Sequence, residues 1–508
     1  MKKLVFILMI LAIFSKMLGF GREITLSYFY GASNVTDAYL ISLTIPLILF
    51  QFFAKSIQHT YIPMYSRILK EKGIKDAIGF TNMLINVVLV ICTFIVVIVI
   101  VFTVPIVKMF ASGFQEETLI LATNLTRISI FAIYFSGLVY IFTGYLHLNN
   151  NFKVPSLMSL PFNLAIILSI FLAYRFNNII LGIGSVVAGL LQILWLMPFV
   201  LKQGYRFSFV LNKYKEQFKK IIYLSLPVMI GVSANQINVL VDRTIASQIS
   251  IGGISALTYA NLFNLFIQGV FVASITTVIF PMISKMVVEN NLSGLKKSIS
   301  TIFNSINLLL IPAVVGVMIF AELIVQVVFG RGAFDSQAVS MTSTALFYYS
   351  IGMVGYGLRD VLSKVFFSME DTKTPMINAA IGMGLNIILN IILSKFLGIG
   401  GLALATSISA TFTTILLTIS LRRKIGQFGL KHISVSFVKI LIASLLTGVI
   451  SKLSFDYLSI HIFNQFLLFL LTLAIGVTTY VVIIYFIKID DVNIFVNVIK
   501  RKIKSVLK

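Results

Sequence analysis

Fourteen apolar stretches, each long enough to cross a bilayer as a helix, follow one another through this chain and leave little polar sequence from which a water-soluble fold could be built. They run near 4–30, 37–62, 79–107, 118–146, 154–174, 178–201, 219–248, 253–283, 298–328, 336–367, 375–397, 400–421, 433–453 and 461–487. With hydrophobic residues at 58% and charged ones at 11% of 508, too little polar side chain remains to cover a globule of this size. The expected fold is therefore all-α, a polytopic membrane protein of about 14 transmembrane helices. Lys2 and Lys3 ahead of an apolar run look like the start of a secretory signal. Lys16 interrupts that run, however, and no small-x-small cleavage site follows, so the first helix is expected to be retained.

The runs are also duplicated. Ser27 and Ser247, Tyr39 and Tyr259, Phe114 and Phe334, Lys153 and Lys373, and Pro155 and Pro375 are all separated by one and the same offset, and Gly31/Gly252 and Pro63/Pro281 drift from it only slightly. Their shared order along the chain argues for two equivalent multi-helix halves with a cavity between them, the geometry of alternating access. The expected plan is two pseudo-symmetric lobes of six helices each, 1–201 and 219–421. A basic amphipathic linker at 202–218 joins them, and two further helices within 433–487 and a basic tail at 488–508 follow.

The net charge of +23, from 40 Lys and Arg against 17 Asp and Glu, invites a nucleic-acid reading until the charges are placed. With the N-terminus in the cytoplasm, 28 of the 40 fall on the cytoplasmic side, and only Lys108, Arg175, Arg331, Lys395 and Lys452 on the other. That is the positive-inside asymmetry of a helical membrane protein with both termini cytoplasmic, so the basic charge is topological and no nucleic-acid partner is expected. The linker, with Tyr205, Phe207, Phe209, Tyr214 and Phe218 among its lysines, suits the anionic inner leaflet. Trp195 reads as an interface anchor.

The remaining seven basic residues, Lys16, Arg22, Lys55, Arg127, Arg243, Arg359 and Lys439, fall inside the expected helices, with the acidic residues Glu23, Asp37, Asp242 and Asp360. A charge at that depth costs roughly 2.5–3.5 kcal/mol on insertion scales unless it meets water or a partner. Arg22–Glu23, Asp242–Arg243 and Arg359–Asp360 suggest buried pairs. Lys16 and Arg22 flank Leu18-Gly19-Phe20-Gly21, so cations stand beside glycines at which a helix can bend or be closely approached. This reads as an anion site, and a lipid-linked phosphate is the anion that a membrane cavity most naturally meets. The single Cys92 offers no disulfide, the four histidines are scattered, and no phosphate-cradling glycine loop with its lysine occurs, so nothing points to an enzyme or to ATP hydrolysis.

The segment Ser15-Lys16-x-Leu18-Gly19-Phe20-x-Arg22-Glu23, then Gly31-Ala32, Thr36-Asp37-Ala38-Tyr39, Ile45-Pro46, Phe53-Ala54 and Tyr61-Ile62-Pro63, resembles the opening of the MurJ (MviN) lipid II flippases of the multidrug/oligosaccharidyl-lipid/polysaccharide exporter superfamily. The likeness continues through Asn238-x-x-x-Asp242-Arg243, Leu257-x-Tyr259-Ala260, Phe280-Pro281, Asp371-Thr372-Lys373-Thr374-Pro375 and Leu397-Gly398-x-Gly400-Gly401-Leu402-Ala403, and so covers most of the chain. It implies cavity cations at Lys16 and Arg22 and a functional acid at Asp37. Two further family arginines are replaced, by Gln51 and by Asn261, while Lys55 stands one helical turn from Gln51.

Resemblance to sodium-coupled members implies a second constellation, in which Asp242, Asn386, Asn390, the Leu402 carbonyl and Thr406 coordinate Na⁺ through oxygen, with Asn390 where the family has a carboxylate. The bland reading of the same face is interhelical hydrogen bonding. The expected function is a lipid II flippase of the bacterial cytoplasmic membrane, monomeric, with a polyprenyl-diphosphate-linked glycan as its substrate and membrane lipids around it. No cofactor is expected beyond a Na⁺ coupling ion. The alternatives are export of another lipid-linked oligosaccharide, a cation or drug antiporter of the same superfamily, a membrane glycosyltransferase using Asp37, and a non-transporting scaffold.

Overall fold

The computed structural model describes the backbone of residues 2–208 and 236–487, and the side chains within them other than those at 2–6, 9, 52–60, 273–274 and 277–279. The first half folds as α1 (Lys2–Tyr30), α2 (Asn34–Lys72), α3 (Ile74–Val101), α4 (Thr103–Phe110), α5 (Glu116–Ser129), α6 (Ala132–Leu148), α7 (Lys153–Leu157), α8 (Ser159–Arg175) and α9 (Ile179–Lys202). The second folds as α10 (236–249), α11 (Gly253–Val288), α12 (Leu292–Ile319), α13 (Ala321–Phe329), α14 (Ser336–Ser368), α15 (Lys373–Leu397) and α16 (Ile399–Ile425), followed by α17 (Leu430–Ser459) and α18 (Gln465–Ile487).

Every expected apolar run coincides with a helix or a broken helix pair, except that the run at 219–248 is described only from residue 236. Among the described residues ten helices are long and apolar enough to cross a membrane, or eleven if the pair α5 and α6, bent by 42°, forms one span. Large apolar side chains stand bare on the outside, Phe94 at 67% and Phe396 at 80% exposed. Such surface suits contact with hydrocarbon and is untenable in water.

The duplication is built into the backbone. α3 is capped by Phe102 and α12 by Phe320, each followed by a short helix, α4 and α13. Before α7, Asn150 turns left-handed at φ 59°, Asn151 N donates to Leu146 O at 2.8 Å, and Val154 N donates to Asn151 Oδ1 at 3.4 Å. At the corresponding place before α15, Glu370 turns at φ 60°, Asp371 N donates to Phe366 O at 3.0 Å, and Thr374 N donates to Asp371 Oδ1 at 3.0 Å. In both copies an Asn or Asp side-chain oxygen satisfies an amide that the first helical turn leaves unpaired. The copies differ where α5 and α6 break and α14 runs on.

The chain forms two compact units that cut it differently from the repeat: Met1–Ala256 with Arg331–Ala338, and Leu257–Gly330 with Val339–Lys508. The first unit therefore keeps α10 and a loop of the second half. Its core holds Tyr61 stacked on Phe80, with Tyr65, Tyr145 and Tyr205 alongside. The second unit packs Ile302, Ile306 and Leu310 of α12 against Leu362 and Phe366 of α14 and Leu417 and Leu421 of α16.

The beginning of the basic linker departs from expectation. Residues 205–208 form no helix, and Asn82 of α3 ties them down, accepting from the Tyr205 hydroxyl at 2.6 Å and donating to Arg206 O at 2.9 Å. Tyr205 is thus core rather than leaflet-facing, 2% exposed. The rest of the linker, from residue 209, and the tail at 488–508 lie outside the described residues. Trp195 hydrogen-bonds Val154 O through its indole nitrogen at 3.2 Å, so it ties α9 to α7.

Candidate substrate site and gate

Arg22 sits on α1, with Nε and Nη2 donating to Glu23 Oε1, a charge-assisted pair within one turn of helix. Glu23 and Tyr39 are both buried, and neither Glu23 Oε2 nor the Tyr39 hydroxyl has a partner among the described residues. Lys16 is exposed on the same helix. Its position in the sequence sets it about 120° around the axis from Arg22, so the two cations address different sectors rather than closing on one phosphate. α1 is unbroken across Gly19 and Gly21, and no atom lies within 4 Å of a Cβ built at either. The glycines therefore serve no close approach among the described residues.

Asp37 is buried one turn into α2, where both its oxygens cap another helix. Oδ1 accepts from the Ser255 amide at 2.8 Å and the Ser255 hydroxyl at 2.7 Å, and Oδ2 accepts from the Gly252 amide at 2.9 Å, at the amino end of α11. A carboxylate satisfies the unpaired amides and complements the positive end of the helix dipole. Beside it, residues 34, 37, 113–115 and 247–251 line a polar cavity of about 280 Å³.

Around Asp37 the two sequence halves interlock within the first unit. Ala333 N donates to Tyr28 O at 2.8 Å, while Gly113 N, at the position equivalent to Ala333 in the first repeat, donates to Ser247 Oγ at 3.0 Å. Gly31 (φ +62°) and Gly252 (φ +77°) form the turns, and a Cβ on them would lie 2.3 Å from Ala333 O and 2.2 Å from Ala32 O. Only glycine fits both the left-handed backbone and the contact. The contact is nearly self-complementary, as two copies related by a two-fold axis require. It forms at the end of the helices poor in Lys and Arg.

The other candidates are distributed as follows. Gln51 accepts from Gln236 Nε2, so an amide pair occupies the position of the missing arginine. The Lys55 side chain lies outside the described residues. Asn261 is joined to Asn264 and Gln268 along α11. Arg243 reaches Leu40 O at 3.2 Å, which ties α10 to α2. Sequence reasoning missed Gln236, Ser255, Asn264 and Gln268. The repeat held one signal, for Gln236 stands to Lys16 at the repeat offset, as Asp242 and Arg243 stand to Arg22 and Glu23.

Asn386, Asn390, Thr406 and Leu402 do come together in the second unit, whereas Asp242 belongs to the first. Asn390 Nδ2 donates to Asn386 Oδ1 (3.0 Å), Asn386 Nδ2 to Thr406 Oγ1 (3.3 Å), and the Thr406 hydroxyl to Leu402 O (2.9 Å). Three of the oxygens, Asn386 Oδ1, Thr406 Oγ1 and Leu402 O, already accept a hydrogen from a neighbour, and all four groups are neutral. A sodium shell needs oxygens converging on an open centre, whereas these side chains bond one another, and the Asn386–Thr406 bond joins α15 to α16 as interhelical hydrogen bonding does. Among the described residues no three His, Cys, Asp or Glu side chains cluster as a metal site.

Comparison with known proteins identifies the family. The family model described as lipid II flippase MurJ matches residues 26–486. Among curated relatives, a probable lipid II flippase MurJ of Buchnera aphidicola is 30% identical over 420 residues, 81% of each chain. One of Vibrio cholerae is 30% identical over 451 residues, 84% of each chain. The lipid II flippase MurJ of Thermosipho africanus is 29% identical over 92% of this chain and 93% of its own. A solved lipid II flippase MurJ in an inward closed conformation superposes with TM-score 0.81 and 29% identity, over 94% of this chain and 97% of that one. An inward-facing multidrug resistance MATE family transporter of the MOP superfamily shares the fold alone, with TM-score 0.69 and 13% identity. A family match running from residue 26 to residue 486, through nearly all the helices, means that this chain belongs to the MurJ family of lipid II flippases.

Proposed function

We propose that this chain carries lipid II across the bacterial cytoplasmic membrane by alternating access, with both termini in the cytoplasm and without making or breaking a bond in its substrate. The observation that carries this reading is the family match over residues 26–486. Arg22, held by Glu23 on α1, supports it. Charged and polar headgroups cross hydrocarbon only at prohibitive cost, so a flippase must replace water around the diphosphate while the polyprenyl tail stays in lipid.

Arg22 suits that task because its planar fork matches two phosphate oxygens at once, whereas Lys16 offers a point charge. Engaging the diphosphate means exchanging Glu23 for phosphate, so binding and release differ by an ion-pair swap. The Asp37 clasp on α11 is the outer gate. While it holds, the headgroup is open only to the cytoplasmic side, and its opening exposes the headgroup outward. The substrate meets one monomer, surrounded by membrane lipids.

The test is export in cells depleted of their own flippase, read as cleavage of lipid II by an externally added headgroup-cleaving enzyme. Expression of this chain should make the precursor cleavable. Precursor that stays protected while the protein is inserted would reject the reading, and transport of organic cations by the same protein would favour antiport.

A further inference from the structure

Along α11, Asn264 Nδ2 donates to Asn261 Oδ1 at 3.4 Å, a long contact, and Gln268 Nε2 donates to Asn264 Oδ1 at 2.8 Å. The three amides form a ladder. Asn264, in the middle, is 3% exposed and has both its polar ends engaged inside it. Asn261 and Gln268, at the ends, are half-buried, and neither Asn261 Nδ2 nor Gln268 Oε1 has a partner among the described residues. The ladder is therefore polarised, with a donor at one end and an acceptor at the other.

Its place makes this costly. Positions 261–268 lie eight to fifteen residues into α11, inside its apolar run and so at membrane depth. Spacings of three and four along the helix keep the amides within an arc on the order of 60°. An amide facing hydrocarbon loses its hydrogen bonds to water, a penalty of roughly 2–7 kcal/mol. A half-exposed polar edge persists at that depth only where it meets water or a polar ligand.

We propose that this ladder recognises the uncharged polar part of the substrate headgroup: sugar hydroxyls, acylamino groups and peptide amides. The proposal rests on the reading of the chain as a lipid II flippase and adds to it the residues that distinguish the headgroup from its anchor. The ladder carries no charge, so it does not select the diphosphate or a carboxylate. Its two open ends are about 10 Å apart along the helix axis, too far to hold one acylamino group together, so they bind separate groups of an extended headgroup. Asn261, where the family resemblance implies an arginine, thus exchanges charge for hydrogen-bond selectivity.

The experiment compares two probes on purified full-length protein, lipid II and the same polyprenyl diphosphate without sugar or peptide. Asn261→Ala and Gln268→Met change the half-exposed ends and spare the buried Asn264. Each should weaken lipid II binding about three- to tenfold, the range of one neutral hydrogen bond, and leave polyprenyl diphosphate binding unchanged. Variants that bind both lipids as the parent does, or that lose both equally, overturn the proposal, as does a parent that binds the two lipids equally. A parent that binds neither lipid overturns the flippase reading itself.

Discussion

Asp37 and Ser255 are joined twice: one carboxylate oxygen accepts both the backbone amide and the hydroxyl of Ser255, at 2.8 and 2.7 Å. Because the acceptor lies on α2 of one repeat and the donors at the start of α11 of the other, one helix is capped by a residue 218 positions away. Hydrogen bonds to a charged group contribute about 1.5–3 kcal/mol each. Asp37→Asn should therefore open the gate by roughly one to two orders of magnitude in its closed-to-open ratio and impair export. Ile254, 1% exposed, reports it: Ile254→Cys in a Cys92→Ala background should react slowly with an external impermeant thiol reagent, and faster once Asp37→Asn is added. Equal rates would show that Asp37 does not hold the gate.

The glycines divide into two kinds. Gly252→Ala would put a methyl group 2.2 Å from Ala32 O at φ +77°, so it should keep the gate from closing and abolish export. Gly19→Ala and Gly21→Ala meet open space and should raise helix stability by up to about 1 kcal/mol. Thermal unfolding of the purified variants separates them; a Gly252→Ala protein as stable and active as its parent would refute the interlock.

The repeat was legible because long apolar runs and a constant offset between paired residues depend only on residue identity and spacing. Arg22 and Asp37 stood out as candidates, since an ionisable residue at membrane depth is conspicuous by its cost. Their partners were not. Asp37 is satisfied by backbone amides of Gly252 and Ser255, and a backbone donor has no residue signature. The Asn261 ladder escaped because amides at spacings of three and four read as ordinary packing until their burial is known. The compact units escaped for a related reason: α10 is attached to the first half through contacts such as Arg243 with Leu40 O.

Asp371 gives a pH signature in the loop before α15. The Lys424 ammonium, at 2.7 Å, and the Thr374 amide hold its carboxyl down at about 2, against an ordinary 3.8. A depressed carboxylate stabilises the fold above its unfolded value, and the contribution is lost as pH falls through the folded one. Asp371→Asn should thus cost less than about 1 kcal/mol of stability at neutral pH, because the pair is partly solvated, and so lower the melting temperature slightly. The difference from the parent should shrink between pH 4 and 2; a constant gap would mean that the charge is not what matters.

The neutral chain of Asn386, Asn390, Thr406 and Leu402 O sets the expected response to cations. An ion that binds only the folded state raises its stability with concentration. Purified protein should therefore melt at the same temperature in Na⁺ and K⁺ at equal ionic strength. A gain specific to Na⁺ that Asn390→Leu removes would restore the cation site.

Arg22 is the residue on which transport should depend most, yet removing it alone confounds two effects. Arg22→Ala leaves Glu23, 5% exposed, as a buried carboxylate without its partner, a change that costs about 3–5 kcal/mol. It should therefore lower stability as well as export. Arg22→Ala with Glu23→Gln removes the charge on both sides and should recover much of the stability while export stays lost, because the diphosphate has no fork to meet. Arg22→Lys should keep partial export, and Lys16→Ala, which changes an exposed point charge, should have the milder effect. Melting temperature and external cleavage of lipid II, measured on the same variants, separate folding from transport. Export recovered along with stability in the double variant would show that Arg22 serves only to neutralise Glu23.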